Sequence, residues 1–262
     1  MGVLPWVWYY GFRRHTAYPI GSLAEALTNT AFGFMRAYVL LALWHERPSL
    51  GGYDATDAVT YCFVTQALIG PIQIFGGMDL AQRIRTGDVA IDLHRPVGLL
   101  GWWLADDLGR TMGSLVLRGG PPLLAGMLAF PFRCPDPIGF AAFAAAVLLA
   151  ALVSFGIRYL VALGMFWLHD DRGLNAVTLV MSLFFSGMIL PLVVFPGRLG
   201  EIARALPWAA QLQVPAEVFL GRSTGMDLLG ALAFQAAWAT ALLAAGHLLT
   251  RAARRKLVIH GG

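Results

Sequence analysis

Six apolar blocks, each close to the length of a membrane-spanning helix, divide the chain. Roughly 20 apolar residues cross a hydrocarbon core about 30 Å thick as a helix. The pattern therefore predicts an all-α polytopic membrane protein, with residues 1–262 forming a single transmembrane domain. The predicted spans cover residues 22–44, 57–75, 111–130, 138–168, 174–194 and 226–250.

Residues 1–21 precede the first block and combine aromatic with basic side chains. Two tryptophans and two tyrosines lie within residues 4–10, and Arg13 and Arg14 follow them. Trp and Tyr favour the membrane–water interface, and a basic edge suits the headgroup region. No small-residue cleavage site of the kind that ends a secretory signal is present. This segment is predicted to be an interfacial helix.

Residues 191–226 form a second unusual connection, because prolines interrupt its apolar character. Between Pro196 and Pro207, apolar residues including Leu199 and Ile202 recur at helical spacing. Proline breaks a continuous helix, and broken backbone survives at membrane depth only against protein or a watery cavity. We expect an outer re-entrant segment that contains a short amphipathic helix.

Composition supports a membrane protein and limits its chemistry. Hydrophobic residues make up 58% of the chain and charged residues 13%, with a mean hydropathy of +0.65. A soluble domain normally carries about a quarter charged residues. Lys256 is the single lysine, and Leu257 follows it, so the Gly-Lys-Ser/Thr of a P-loop is absent. ATP chemistry must therefore come from another chain.

The basic residues predict the orientation. An excess of Lys and Arg marks the cytoplasmic side of a membrane protein. The excess falls on the N-terminal segment, on the second-to-third connection and on the C-terminal tail, so both termini are predicted to be cytoplasmic. The net charge of +4 then reflects topology, and nucleic acid is not an expected partner. These residues are Arg13, Arg14, Arg83, Arg85, Arg95, Arg110, Arg118, Arg251, Arg254, Arg255 and Lys256.

Four ionisable residues fall inside the predicted spans: Glu25, Arg36, Arg158 and His247. Such residues are costly and mark functional sites, unless they pair or snorkel structurally. Glu25 and Arg158 lie at similar depth near the cytoplasmic side, so we expect them to form an ion pair. Arg36 lies deeper, where it either lines a pathway or bonds backbone carbonyls.

Two further features concern packing. Gly109 and Gly113 form a GxxxG pattern, which allows close helix approach within the chain or between two copies. Cys62 and Cys134 are too few for a disulfide framework or a zinc site. We expect both cysteines to be unpaired.

The longest polar passage covers residues 83–96, between the second and third spans. Residues 79–85 have helical character, Thr86 and Gly87 interrupt it, and Pro96 ends the element. Asp88 and Asp92 lie four residues apart, on one helical face. Three interpretations are open: a metal or acid–base site that includes His94, a solvated loop, and a short helix that docks a cytoplasmic partner. The further aspartates that a metal site requires are missing, and the docking helix fits best.

Residues 84–96, IRTGDVAIDLHRP, resemble a segment of the permeases of type 2 ABC transporters, in the branch often described as antibiotic or multidrug exporters. Residues 186–191, SGMILP, with the prolines at 196 and 207, are similar to the fifth-span end and outer re-entrant helices of that superfamily. The resemblance covers most of the chain. It implies an exporter of amphiphilic, drug-like or natural-product substrates in a bacterial plasma membrane.

The resemblance also implies partners and site residues. Two permease copies, identical or related, would sit on two ATP-binding subunits that hold ATP and Mg²⁺, while this chain binds no cofactor or metal and is not an enzyme. The cytoplasmic segment 76–110 would carry the coupling helix. The residues that would form or brace the ATPase contact are Arg83, Arg85, Thr86, Gly87, Asp88, Asp92, Arg95 and Pro96.

Two other classes remain as alternatives. A proton-coupled secondary transporter would use Arg36 and Glu25; the chain has no internal repeat, although a dimer would restore symmetry. A membrane enzyme acting on lipid headgroups would show divalent-metal dependence.

Overall fold

The architecture is helical throughout the described part of the chain. A computed structural model describes residues 2–17, 19–95, 97–168 and 172–260, except the side chains of residues 19 and 256–260. Pro96 lies outside these residues. All regular structure in the described ranges is helical, which confirms the predicted fold class. The helices are α1 (Leu4–Thr16), α2 (Pro19–Glu46), α3 (Ala55–Ile72), α4 (Asp79–Thr86), α5 (Val89–Leu93), α6 (Leu99–Ser114), α7 (Gly120–Ala129), α8 (Pro137–Gly164), α9 (Arg172–Phe185), α10 (Gly197–Ala205), α11 (Gln213–Phe219) and α12 (Gly225–His260).

Three helices among the described residues are long and apolar enough to cross a membrane, judged by length and composition: Ile20–Glu46, Pro137–Gly164 and Gly225–Arg255. They coincide with the predicted first, fourth and sixth spans. The predicted second and fifth spans fall on α3 and on the shorter apolar helix α9. Six crossings therefore remain a prediction.

The third predicted span is part of a longer helix than expected. Helices α6 and α7 join through a π-helical turn, Leu115–Gly119, so the helix runs from residue 99 to residue 129. The sequence analysis began the span at residue 111. The N-terminal extension carries Trp102 and Trp103 and packs against α1.

Close helix approach explains the GxxxG pattern. A Cβ at Gly109 would lie 2.1 Å from the carbonyl oxygen of Trp8, and one at Gly113 would lie 3.1 Å from the side chain of Thr16. On α1, a Cβ at Gly11 would meet the carbonyl oxygen of Asp106 at 2.6 Å. These glycines let α1 pack directly on α6, so the pattern serves packing within the chain.

The outer segment contains the predicted amphipathic helix as α10, which begins after Pro196 and ends before Leu206. Leu199 and Ile202 are exposed on α10, whereas Ala203 is buried. Helix α11 follows and is largely buried. An exposed apolar face on α10 suits contact with lipid at an interface.

Helix α3 forms the centre of the bundle. Its side chains are buried along almost the whole helix, including Tyr61 and Phe63. The Tyr61 hydroxyl lies 2.8 Å from the Gly187 carbonyl oxygen and 2.6 Å from Oε1 of Gln213. These contacts join α3 to the chain after α9 and to α11. Cys62 and Cys134 are both free, as expected.

Candidate coupling site

Helices α4 and α5 form a two-helix segment, residues 79–93, between the second and third predicted spans. Helix α4 ends at Gly87, which has a φ of +85° and donates its N–H to the Ile84 carbonyl at 3.3 Å. Glycine adopts this left-handed conformation without steric cost. The predicted helix and its interruption at Thr86 and Gly87 are confirmed.

Buried apolar side chains attach the two-helix segment to α8. Leu80 of α4 and Val89 of α5 are both fully buried. They share an apolar cluster with Leu99 of α6 and with Tyr159 and Leu163 near the end of α8. The segment is therefore fixed to the bundle and does not behave as a solvated loop.

Asp92 is the electrostatic centre of the segment. Its side chain is only 1% exposed, and two arginines bond to it. Arg83 donates from Nε at 2.6 Å and from Nη2 at 3.0 Å, while Nη2 of Arg95 lies 2.8 Å away. The Arg95 guanidinium also lies 3.8 Å from the Trp102 ring centroid, a cation–π contact with α6. Both carboxylate oxygens of Asp92 are thus engaged with cations of the chain itself.

The exposed tip of the segment has a different character. Asp88 is exposed and accepts a hydrogen bond from Thr86 Oγ1 at 2.7 Å, and Arg85 bonds to Gln82. Ile91, on α5, is 64% exposed. An exposed isoleucine bordered by charged residues is the pattern of an apolar contact with a polar rim.

The structure divides the predicted site residues into two groups. Arg83, Asp92 and Arg95 come together as an internal brace, whereas Arg85, Thr86, Gly87 and Asp88 form the tip; Pro96 lies outside the described residues. Sequence reasoning missed Ile91, Leu80 and Val89. Helical spacing gives no sign of which apolar residue in such a short segment is buried, because that depends on α8.

A cleft of about 1030 Å³ opens beside the tip, between α1 and the two-helix segment. Aromatic side chains line one wall, including Trp6 and Tyr10, and Asp79 and Asp88 line another. Arg14 and Asp106, which also line the cleft, form a 2.7 Å ion pair. Side chains of α1, of the two-helix segment and of α6 therefore line one cleft.

Behind this surface, Asp107 joins α6 to α8. Asp107 belongs to the segment 76–110, outside the predicted spans, and its side chain is almost fully buried. Nη2 of Arg158 lies 2.8 Å from its Oδ2, and Nε of Arg110 lies 3.0 Å from its Oδ1. Burial alone would raise the pKa of Asp107, but Arg158 and Arg110 outweigh burial and lower the pKa to about 2. The carboxylate is therefore held ionised between two cations.

The predicted pair between Glu25 and Arg158 is wrong. Glu25 is 60% exposed and pairs with Arg118 at 2.9 Å. Helix α2 packs against α3, α7 and the π-helical turn, whereas α8 packs against α11 and α12. The two residues were expected to pair because they lie at a similar depth, but their helices face different neighbours. Asp107 is the partner of Arg158 instead of Glu25.

The other two intramembrane candidates have different surroundings. Arg36 bonds to side chains of α3, with Nη1 lying 2.9 Å from Gln66 Oε1 and Nη2 lying 3.3 Å from Thr65 Oγ1. These acceptors are side chains and not the backbone carbonyls considered from the sequence. His247 is exposed on α12.

Long apolar helices around a braced polar segment are typical of a helical membrane protein. The chain belongs to the ABC-2 transporter family, because the model of the family described as "ABC-2 family transporter protein" matches residues 27–261. Neither the curated proteins nor the solved structures compared with the chain gave a match. Membership makes the chain a membrane permease component of an ABC transporter, which associates with an ABC ATP-binding subunit and is not itself catalytic.

Proposed function

We propose that the chain is the permease subunit of an ATP-driven exporter that moves amphiphilic, drug-like or natural-product substrates out across a bacterial plasma membrane. Two permease copies, identical or related, stand on two ATP-binding subunits that hold ATP and Mg²⁺. Each permease crosses the membrane six times and keeps both termini in the cytoplasm. Family membership supports the transporter class; the distribution of basic residues supports the orientation.

The observation that carries this proposal is the braced tip of the two-helix segment. Ile91 projects from a short helix whose base is held by Asp92 and its two arginines. A buried apolar anchor supplies most of the contact energy in an interface, whereas rim charges steer the approach and fix the register. In this proposal Ile91 enters a groove of the ATPase, and Arg85 and Asp88 face its rim.

The packing of the segment suggests how movement passes into the membrane. Leu80 and Val89 contact α8, and Asp107 ties α6 to Arg158 of α8. When ATP closes the ATPase dimer, a displaced two-helix segment therefore moves with α6 and α8. The first and fifth spans then rearrange at the interface between permeases, and substrate leaves beneath the outer segment.

The experiment uses the permease co-expressed with its cognate ABC ATP-binding subunit. Ile91→Asp should abolish co-purification of the two chains, because it places a charge in an apolar groove. Ile91→Leu keeps the apolar contact and serves as the matched control. Gly87→Pro and Asp88→Arg should abolish assembly, or uncouple ATP hydrolysis from transport.

Two results contradict the proposal. Normal assembly and transport by Ile91→Asp, Gly87→Pro and Asp88→Arg would show that the tip is not the contact. Transport that needs no ATPase and stops on addition of a protonophore would instead favour the proton-coupled transporter.

A further inference from the structure

Arg36 lies within the predicted first span, far from either end of α2. It is ten residues from Glu46, or about 15 Å along the helix at ~1.5 Å per residue. The stretch Ile20–Glu46 is 27 residues, about 40 Å long, and exceeds a hydrocarbon core of about 30 Å. Arg36 is therefore inside the apolar layer, where an unpaired charge is costly.

The hydrogen bonds of Arg36 leave its donors incompletely used. A guanidinium carries five N–H donors. Two nitrogens reach Gln66 and Thr65, but Nε is buried without a hydrogen-bond partner. Asn29 orients Gln66 through two hydrogen bonds. Nε2 of Gln66 donates to Oδ1 of Asn29 at 2.5 Å, and Nδ2 of Asn29 donates to the backbone carbonyl of Gln66 at 2.8 Å. The polar cage around Arg36 is therefore built, and it leaves the buried Nε without an acceptor.

The charge of Arg36 is also unmatched, unlike that of the other deep arginines. Within the described residues, no carboxylate forms an ion pair with Arg36, whereas Arg158 and Arg110 share Asp107. Neutral acceptors such as Thr65 and Gln66 stabilise a guanidinium less than a carboxylate or phosphate does. The chain therefore supplies a cation and leaves its counter-charge to another molecule.

The surface beside Arg36 suits the rest of an amphiphile. Phe32, Met35 and Val39 are all more than half exposed and lie on α2 within four residues of Arg36. Residues three and four apart share a helix face, so they form an apolar strip that runs past the cation. A molecule with one acidic group and an apolar body would match this surface.

We propose that Arg36 binds the acidic group of an amphiphilic substrate, so that the exporter prefers anionic cargo. This inference rests on the proposed function and deepens it by naming the substrate class. The guanidinium would hold a sulfonate, phosphate or carboxylate through its Nη donors, whose present bonds to Thr65 are long, at 3.3 and 3.4 Å. Arg36 is thus a specificity-determining residue and takes part in no chemical step.

The test uses the complete complex with its ATPase, reconstituted in lipid nanodiscs without ATP. Two probes are compared: dodecanesulfonate labelled with a fluorophore at its far end, and the matching dodecanesulfonamide, which is neutral. Wild-type protein should bind the sulfonate at least tenfold more tightly. Arg36→Gln should remove the preference, and Arg36→Lys should retain part of it. Arg118→Gln, whose arginine is already paired with Glu25, should keep the preference and serves as the matched control.

The inference is overturned if wild-type protein binds both probes equally, or if Arg36→Gln keeps the preference while its melting temperature is unchanged. If Arg36→Gln fails to fold, Arg36→Lys decides the question: a reduced but measurable preference for the sulfonate supports the inference, and an unchanged preference overturns it. ATP-driven transport in proteoliposomes is measured separately. If the wild type transports neither probe, the proposed function fails, but the binding preference still decides the role of Arg36.

Discussion

Replacing Asp107 with asparagine is the sharpest test of the packing between α6 and α8. Asparagine keeps the size of the side chain and removes its charge. Arg158 and Arg110 then remain buried side by side without their shared anion. We expect Asp107→Asn to reduce the free energy of unfolding more than the loss of either arginine does.

The magnitudes follow from burial. Removing one partner of a buried ion pair costs about 3–5 kcal/mol, because an uncompensated charge is left behind. Arg158→Met should cost less, about 1.5–3 kcal/mol, since Asp107 keeps its 3.0 Å bond to Arg110. The double variant relieves the repulsion between the arginines, so it should be at least about 1 kcal/mol more stable than the sum of the two single effects predicts.

The assay is reversible unfolding by sodium dodecyl sulfate in lipid–detergent micelles, followed by tryptophan fluorescence. The pH dependence gives a second readout. The pKa of Asp107 in the folded protein, about 2, is below its ordinary value of 3.8, so its ionised form stabilises the fold at higher pH. This stabilisation is fully present above pH 3.8 and is lost as the pH falls toward 2. Asp107→Asn should lack that acid-dependent loss.

Two outcomes would refute this reasoning. If Asp107→Asn and Arg158→Met are equally destabilising and strictly additive, the three side chains do not act as one network. If the acid-dependent loss of stability persists unchanged in Asp107→Asn, another carboxylate is responsible for it.

Three further predictions follow from other contacts. Gly109→Ala places a Cβ against the Trp8 carbonyl and should make α1 sensitive to protease, whereas Gly230→Ala meets no atom within 4 Å and should leave the digestion rate unchanged. Burial holds the pKa of His15 below its ordinary 6.5, so protonation of His15 opposes the packing of α1 on α6. The protease sensitivity of α1 should therefore rise as the pH falls through 6.5, and His15→Gln should remove that rise. Asp57→Asn removes the carboxylate that Arg133 and Arg222 share and leaves Arg133 paired with Asp54 alone, so it should reduce the free energy of unfolding in micelles by about 1–3 kcal/mol; no change would show that this contact is solvent-screened.

Local signals in the sequence were sufficient to predict the helices of the candidate site. The interruption at Gly87 follows from glycine's freedom at positive φ, and the bounds of α10 follow from Pro196 before it and from Pro207, which disfavours helix at Leu206. Each feature depends on a few neighbouring residues, so a single sequence shows it. The brace around Asp92 was predicted only as a set of residues, without its internal pairing.

The same reasoning could not predict which residues pair between helices. Glu25 and Arg158 lie at similar depth, but depth does not specify which helix faces which. Asp107 looked like part of a connection, and only the packing of α6 on α8 makes it the partner of Arg158. Ile91 could not be distinguished from buried Val89 for the same reason, since both are apolar residues of one short helix.

The arginine-rich composition has a physical explanation in these contacts. Each of the three buried aspartates of the described residues is shared by two arginines: Asp57 by Arg133 and Arg222, Asp92 by Arg83 and Arg95, Asp107 by Arg110 and Arg158. A planar guanidinium can bond both oxygens of one carboxylate, as Arg83 and Arg158 do, and it remains charged when buried, whereas lysine shifts its pKa more readily. Asp57 joins the start of α3 to the loops that carry Arg133 and Arg222, Asp92 braces the two-helix segment, and Asp107 links α6 to α8. Arg36 departs from this pattern, because it is the deep arginine to which the described chain gives polar neighbours but no anion, and that contrast is why a substrate is its expected partner.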